Sequence, residues 1–351
     1  MCRNARIGIV LLVAMVLAAM NFACGGGGLP PSHIVQSSQV DGSVSQSLQA
    51  AILGFVYVPD ASEVRPINGI SGASTQGLPL VLPTGVTGIS FAPGQESAIV
   101  ERANGASLGV ISFQGAGPGA FMPIPGGVAQ PNILAFSPNG ASVALYSASE
   151  GQVQVVAGLP DQPQLTRTLA SGELPDTVQA LAIADDGLTL LEGTVHGAVY
   201  LLSAGGPQLV ESVSDLGGIV FNPKSNNALI FDRSGGTLSL LQNVSTLPAN
   251  RPLAGGMTGL GGTIGLQSNG RSAVIASTST NHLWEVDLQS LQVQELQLPT
   301  TPLMLTPLRT SGDYLLFWQP GQLAWIVDTN QPKGAVYLVP AAAQAQSLLA
   351  R

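Results

Sequence analysis

The sequence predicts an all-β protein built from about seven similar four-stranded units. Three observations carry this. One strand–turn–strand–turn–strand pattern recurs through most of the chain, its copies are evenly spaced, and the composition favours turns over helices. Of 351 residues, 45% are hydrophobic, 9% are charged, and 43 are Gly and 25 Pro. Glycine and proline at that density punctuate the chain every few residues, which leaves little room for long helices. The low charge is not the mark of disorder, because β-branched and aliphatic runs recur throughout.

The clearest copy is residues 134–157, LAFSPNGASVALYSASEGQVQVVA. Leu134 and Phe136 belong to a short strand. Ser137-Pro138-Asn139-Gly140 follows as a tight turn, since Pro pre-sets φ and Asn-Gly tolerates φ > 0. Ala141 to Ser147 reads as a second strand, Ser149-Glu150-Gly151 as a second turn, and Gln152 to Ala157 as a third strand of period two. Residues 164–170 supply the outer strand. Anchoring each copy just before its first turn gives Phe91, Phe136, Ile183, Phe221, Leu266 and Leu308, with successive gaps of 45, 47, 38, 45 and 42 residues. Four strands per 40–45 residues is the signature of propeller blades. An earlier partial unit, ILGFVYVPDASEVRPI at 52–67, matches second and third strands and brings the count to seven. Six or eight blades are the alternatives. Closure is expected to set the segment before Ala51 beside strands of the C-terminal repeat.

The alternation of SPNG-like turns with YVP-like strands resembles the YVTN-type bacterial β-propellers, relatives in shape of the WD-repeat family. The matching pieces are Ser137 to Gly140, Ala184 to Gly187, Ser268 to Gly270 and Val56 to Pro59, and the resemblance spans about 300 residues. It implies a propeller fold and extends to lactonase-like members. It implies no single activity, because propellers host many.

The first residues point to export. Arg3 and Arg6 precede fourteen apolar residues, Ile7 to Met20, too few for a spanning helix and suited to a signal peptide. Cys24, after Ala23 and before Gly25 to Gly28, resembles a bacterial lipoprotein lipobox, with Asn21 where that motif usually carries an aliphatic residue. Acylation of Cys24 is expected; ordinary cleavage after Ala23 is the alternative. The expected plan is a signal peptide over 1–23, a lipidated cysteine and Gly/Ser/Gln-rich tether over 24–44, a propeller over 45–345 and a tail over 346–351. That places the protein in the cell envelope, periplasmic or at the surface, held to a membrane by its lipid.

Cys2 leaves with the signal, so one cysteine remains and no internal disulfide can form. Without Arg3 and Arg6, 12 − 2 = 10 basic residues face 20 acidic ones. That balance repels a phosphate backbone, so no nucleic-acid partner is expected. No catalytic constellation, metal spacing or cofactor motif stands out. GAGPGAF (115–121) and LAGGMTGLGGT (253–263) lack the Lys-Ser/Thr and the helix of a phosphate loop.

Charge does recur at the ends of second strands: Asp60, Glu101-Arg102, Glu192 and Asp232-Arg233, with Trp318 in the corresponding place of the last repeat. Propeller geometry puts these ends, the second-to-third turns and the blade-to-blade connections on one face. Glu101, Arg102, Glu150, His196, Asp232, Arg233, His282 and Trp318 are therefore the candidate binding residues, with connections 115–131, 171–179 and 246–262 beside them. His196 and His282 read as turn residues rather than metal ligands. The function expected is a monomeric binding or scaffold protein for a protein or envelope polymer. A lactonase-like hydrolase is the runner-up, and a quinoprotein-type dehydrogenase is disfavoured with only Trp284, Trp318 and Trp325 available.

Overall fold

The computed structural model describes residues 51–341 except 104–106, 115–116, 172–173, 175, 258–262, 303 and 317–323. Apart from two short 3-10 turns, Pro59–Ala61 and Pro93–Gln95, every regular element among them is a β-strand. The strands form seven antiparallel sheets in chain order, six of four strands and the first of three. The chain is a seven-bladed β-propeller.

The third blade shows how sequence becomes blade. Its strands are Ile133–Phe136, Ser142–Ser147, Gln152–Ala157 and Gln164–Ala170. All of Ser142–Ser147 is buried, because both of its faces pack on neighbouring sheets. The outer strand instead alternates, leaving Gln164, Thr166, Thr168 and Ala170 exposed. Between the first two strands, Gly140 N–H donates to Ser137 O at 2.9 Å, with Gly140 at φ 71°. Gly187 (φ 65°) and Gly270 (φ 69°) do the same in the fourth and sixth blades, a backbone that side chains other than glycine rarely adopt.

The core lies between blades. One cluster joins Leu191, Val199, Leu216, Phe221, Ile230 and Leu241 of the fourth and fifth blades, and similar clusters follow round the ring. We call the side carrying the first-to-second and third-to-fourth turns the back, and the side carrying the second-to-third turns and blade-to-blade connections the front. At the back the turns are tied to one another: the two carboxylate oxygens of Asp185 accept N–H from Asn139 (2.8 Å) and Lys224 (2.7 Å), bridging blades three to five.

The first blade contains Ile52–Val58, Glu63–Ile70 and Ala73–Gln76. Val58 pairs Glu63 as Arg102 pairs Ser107 in the second blade, so Ile52–Val58 stands in the place of a second strand. Its inner edge is met by one side chain and one backbone N–H. Fully buried Gln95 accepts the Phe55 N–H at 2.5 Å and donates to Phe55 O at 3.3 Å, while the Arg309 N–H donates to Leu53 O at 2.9 Å. Gly54 makes room for this, because a Cβ there would lie 2.5 Å from Gln95 Oε1.

Two expectations need correction, and a third, closure by the segment before Ala51, lies outside the described residues. The seventh blade takes four strands, Leu305–Pro307, Asp313–Leu316, Ala324–Asp328 and Ala335–Val339, from the C-terminal repeat. Blades seven and one meet through Gln76 N–H to Pro340 O (2.9 Å) and Ser71 Oγ to Asp313 Oδ2 (2.7 Å). Stretch 246–262 is not one long connection, because Ala249–Ala254 pairs as the outer strand of the fifth blade. Likewise 115–131 contains the short outer strand Met122–Pro123. Cys24, the tether and the tail lie outside the described residues.

Candidate functional site

The front of the propeller is built from paired turns and connections. Where a second strand ends, its turn lies beside the chain entering the same blade, and a polar side chain joins the two. In the second blade Arg102 Nε donates to Thr84 O at 3.0 Å, and its guanidinium sits 4.9 Å from the centre of the Phe121 ring. In the fourth, the His196 ring and backbone N–H both meet the Asp176 carboxylate. In the fifth, Arg233 Nη2 donates to Asp215 Oδ1 at 2.5 Å, while Asp232 accepts N–H from Ser214, Asp215, Ser234 and Gly235 at 3.1–3.3 Å.

These bonds set the titration of the acids. Burial pushes the Asp232 carboxyl up, but the N–H groups of Gly235, Ser214 and Asp215 outweigh it and hold it below the ordinary range. Asp176 is lowered in the same way, burial being overcome by N–H bonds from Thr177 and His196. Glu101 has no such partners: burial alone raises its carboxyl, which packs against Gly88 of the inner strand. Glu150 is exposed in its turn, where Gln152 Nε2 bonds its carboxylate. His282 opens a third strand, its Nδ1 2.5 Å from Glu295 Oε1 and its ring stacked on Trp284. Trp318 lies outside the described residues.

Glu192 is not a solvated strand end. It sits in the middle of Leu190–Thr194, 0% exposed, with Ser171 Oγ donating to Oε1 at 2.5 Å and Oε2 unpartnered. Burial raises its carboxyl. It looks terminal in the sequence because only Gly193 and Thr194 follow it in the strand before the turn. Asp313 was missed altogether. It is 2% exposed at the start of a second strand on the back, where the other blades place Ser97, Ser142, Thr189, Asn227 and Ser272. Burial raises its carboxyl to about 6, with the Asp328 charge adding to the effect.

Among the described residues no group of three or more His, Cys, Asp or Glu side chains could hold a metal ion. What the front offers is a set of fixed loops with charge used for bracing, and an apolar cavity of about 270 Å³ behind it lined by Phe55, Tyr57, Phe91, Leu134, Phe136 and Leu305.

The fold defines the class, a seven-bladed propeller, and solved structures are similar to it in fold. A functionally unknown protein from Desulfotomaculum acetoxidans DSM 771 superimposes with a TM-score of 0.56 at 11% identity, over 83% of this chain and 100% of that one. A candidate 6-phosphogluconolactonase from Bacteroides fragilis NCTC 9343 gives 0.56 at 15% identity, over 85% and 96%. A protein from Lactobacillus plantarum gives 0.54 at 17%, over 84% and 97%. At these identities the likeness is one of fold. No family model matches the chain, and no curated protein does.

Proposed function

We propose that this chain is an exported, lipid-anchored propeller that binds a protein or an envelope polymer through its front face. The observation that carries the reading is the bracing just described. Arg102, His196 and Arg233 hold the entry loops of three blades in fixed positions. Loops held in one shape lose little freedom on binding, which favours recognition over chemistry that needs convergent titratable groups. Export and anchoring rest on the Arg3/Arg6 n-region, the apolar run and the CGGGG junction at Cys24. One acyl chain, at about 0.8 kcal/mol per buried CH₂, holds a protein only marginally, and the two chains of a diacylglyceryl cysteine would supply stable attachment.

Two experiments test this. Cys24→Ala is expected to move the protein from the membrane to the soluble fraction; wild type that is soluble and unprocessed at this junction overturns the anchor. Trp318→Ala with Arg233→Ala is expected to reduce partner recovery in a pulldown from native membranes. Unchanged recovery by that double variant, with loss on changing Asn139 or Asn269, would move the working surface to the back. Hydrolysis in the manner of a lactonase-like propeller is the second reading, favoured by the fold likeness to the Bacteroides fragilis protein. Turnover of a sugar lactone by the purified protein would establish it in place of the first.

A further inference from the structure

The back of the ring opens between the sixth and seventh blades into a cleft of about 460 Å³. Its position is set by one departure from the repeat. Register aligns the third-strand residues Val110, Val155, Leu201, Leu240 and Ile326, each paired to the same second-strand position. All five are apolar, and they belong to the packing between blades. In the sixth blade the residue at that position is Glu285, paired with Val274. On the facing sheet of the seventh blade the register is broken again, at a residue packed on Val274 and Leu283 of the sixth. Where the other complete blades carry Ala98, Val143, Leu190, Ala228 and Ala273, the seventh carries Tyr314, 1% exposed, its hydroxyl without a hydrogen-bond partner. A carboxylate and a phenol thus replace apolar side chains on facing sheets of one blade interface.

An apolar residue at 285 would close this interface as it is closed elsewhere, so retaining a half-buried acid there costs stability and calls for a use. The walls say what the use is. They carry the amides of Gln267, Asn269, Gln292 and Gln294 and the hydroxyls of Ser272 and Thr329. Some of these hold the walls together: Gln267 Nε2 donates to Thr329 Oγ1 at 2.9 Å, and Arg271 Nε lies 3.4 Å from Asp287 Oδ2. The Asp287 carboxylate also caps the N–H groups of Gln289 and Ser290. Glu285, with Ser272 as its hydroxyl donor, and the side chains of Gln292 and Gln294 face the opening without further bonds of their own among the described residues.

We infer that this cleft binds a neutral oligosaccharide, with the Glu285 carboxylate accepting hydrogen bonds from sugar hydroxyls and the amides of Gln292 and Gln294 donating and accepting beside it. The lining disfavours anionic and apolar ligands. Two carboxylates, one of them uncompensated by Arg271, repel phosphates and acids. The scarcity of apolar wall disfavours hydrophobic ligands. Groups that both donate and accept, spaced along a cleft of ordinary ligand size, match hydroxyls that also do both. The inference stands apart from the front-face reading, since it involves neither Trp318 nor Arg233 and lies on the opposite side.

The test is titration of the full-length protein with N-acetylated chitotriose, cellotriose and maltotriose, all uncharged, followed by calorimetry and saturation-transfer NMR. At least one trisaccharide is expected to bind at millimolar concentration or better. Glu285→Leu, which restores the residue type of the other blades, is expected to weaken that binding about tenfold or more while the melting temperature holds or rises. Should that variant fail to fold, Glu285→Gln and Gln294→Ala are each expected to weaken binding several-fold. Absence of binding by all three sugars, binding of a lysine-rich peptide in their place, or equal sugar affinity in wild type and both Glu285 variants would overturn the inference.

Discussion

Neutralising Asp313 should stabilise this protein near neutral pH and remove a defined part of its pH dependence. The side chain is 2% exposed, accepts one hydrogen bond from Ser71, has an unpartnered Oδ1 and lies beside Asp328. Its carboxyl is raised from 3.8 to about 6. The folded state therefore binds a proton that the unfolded state releases, throughout the interval between those two values. Stability contributed by this group is present below about pH 4 and is lost as pH rises through about 6. Two units at 1.36 kcal/mol each set a ceiling of about 3 kcal/mol at pH 7.5. In Asp313→Asn the amide oxygen can still accept from Ser71, and the amide N–H can replace the carboxyl O–H toward Asp328. Thermal melts of both proteins from pH 4 to pH 8 give a difference curve in which the other carboxylates cancel. The variant is expected to be more stable by about 1–3 kcal/mol at pH 7.5, with the difference fading toward pH 4. A variant that is less stable at pH 7.5, or a flat difference curve, would refute the reasoning.

Other sites give similarly direct expectations. Gln95→Ala strands the buried N–H and C=O of Phe55 and should cost about 2–5 kcal/mol, read by chemical denaturation; a loss under 1 kcal/mol would show that the edge finds other partners. Asp185→Ala removes two N–H acceptors that join the back turns and should cost about 1–3 kcal/mol, with Asp185→Asn recovering part of the loss. Glu192→Gln keeps the bond to Ser171 and removes a buried charge, so it should melt higher than wild type at pH 7.5 and converge with it below pH 4. Arg233→Lys should leave the fold intact but speed proteolysis of the loop entering the fifth blade, since lysine cannot form the two-nitrogen contact that arginine makes with Asp215.

The ring was legible because each blade repeats the same local chemistry. Ser137-Pro138-Asn139-Gly140 prescribes a turn, and Gln152 to Ala157 prescribes a strand of period two, whatever surrounds them. The positions that distinguish one blade from another were harder to see. Glu192 reads as a strand-end charge until the pairing of Leu181 with Glu192 fixes how deep it lies. Glu285 and Asp313 look ordinary in their own segments and become anomalous only when set against Val110, Val155 or Ser142 in exact register. Strand bulges, such as that between Val178 and Ala180, shift such alignments by a residue and flip the side assigned to each side chain. Gln95 could not be anticipated at all, because its role depends on an edge 40 residues earlier that no strand among the described residues covers.

The three-stranded first blade bears on how the chain reaches this shape. A propeller whose first and last segments share a sheet cannot finish its first blade until its last residues arrive, so that blade waits on the longest-range contact in the molecule. Among the described residues, the second-blade turn that bears Gln95 meets the edge of Ile52–Val58 at short range, and the bonds across the ends come from Arg309, Ser71 and Gln76. Loop-closure entropy is thereby met in small instalments, blade upon adjacent blade. A polypeptide that emerges with its N-terminus first can consolidate each sheet as it appears, exposing few unpaired strands while the remainder is still being made.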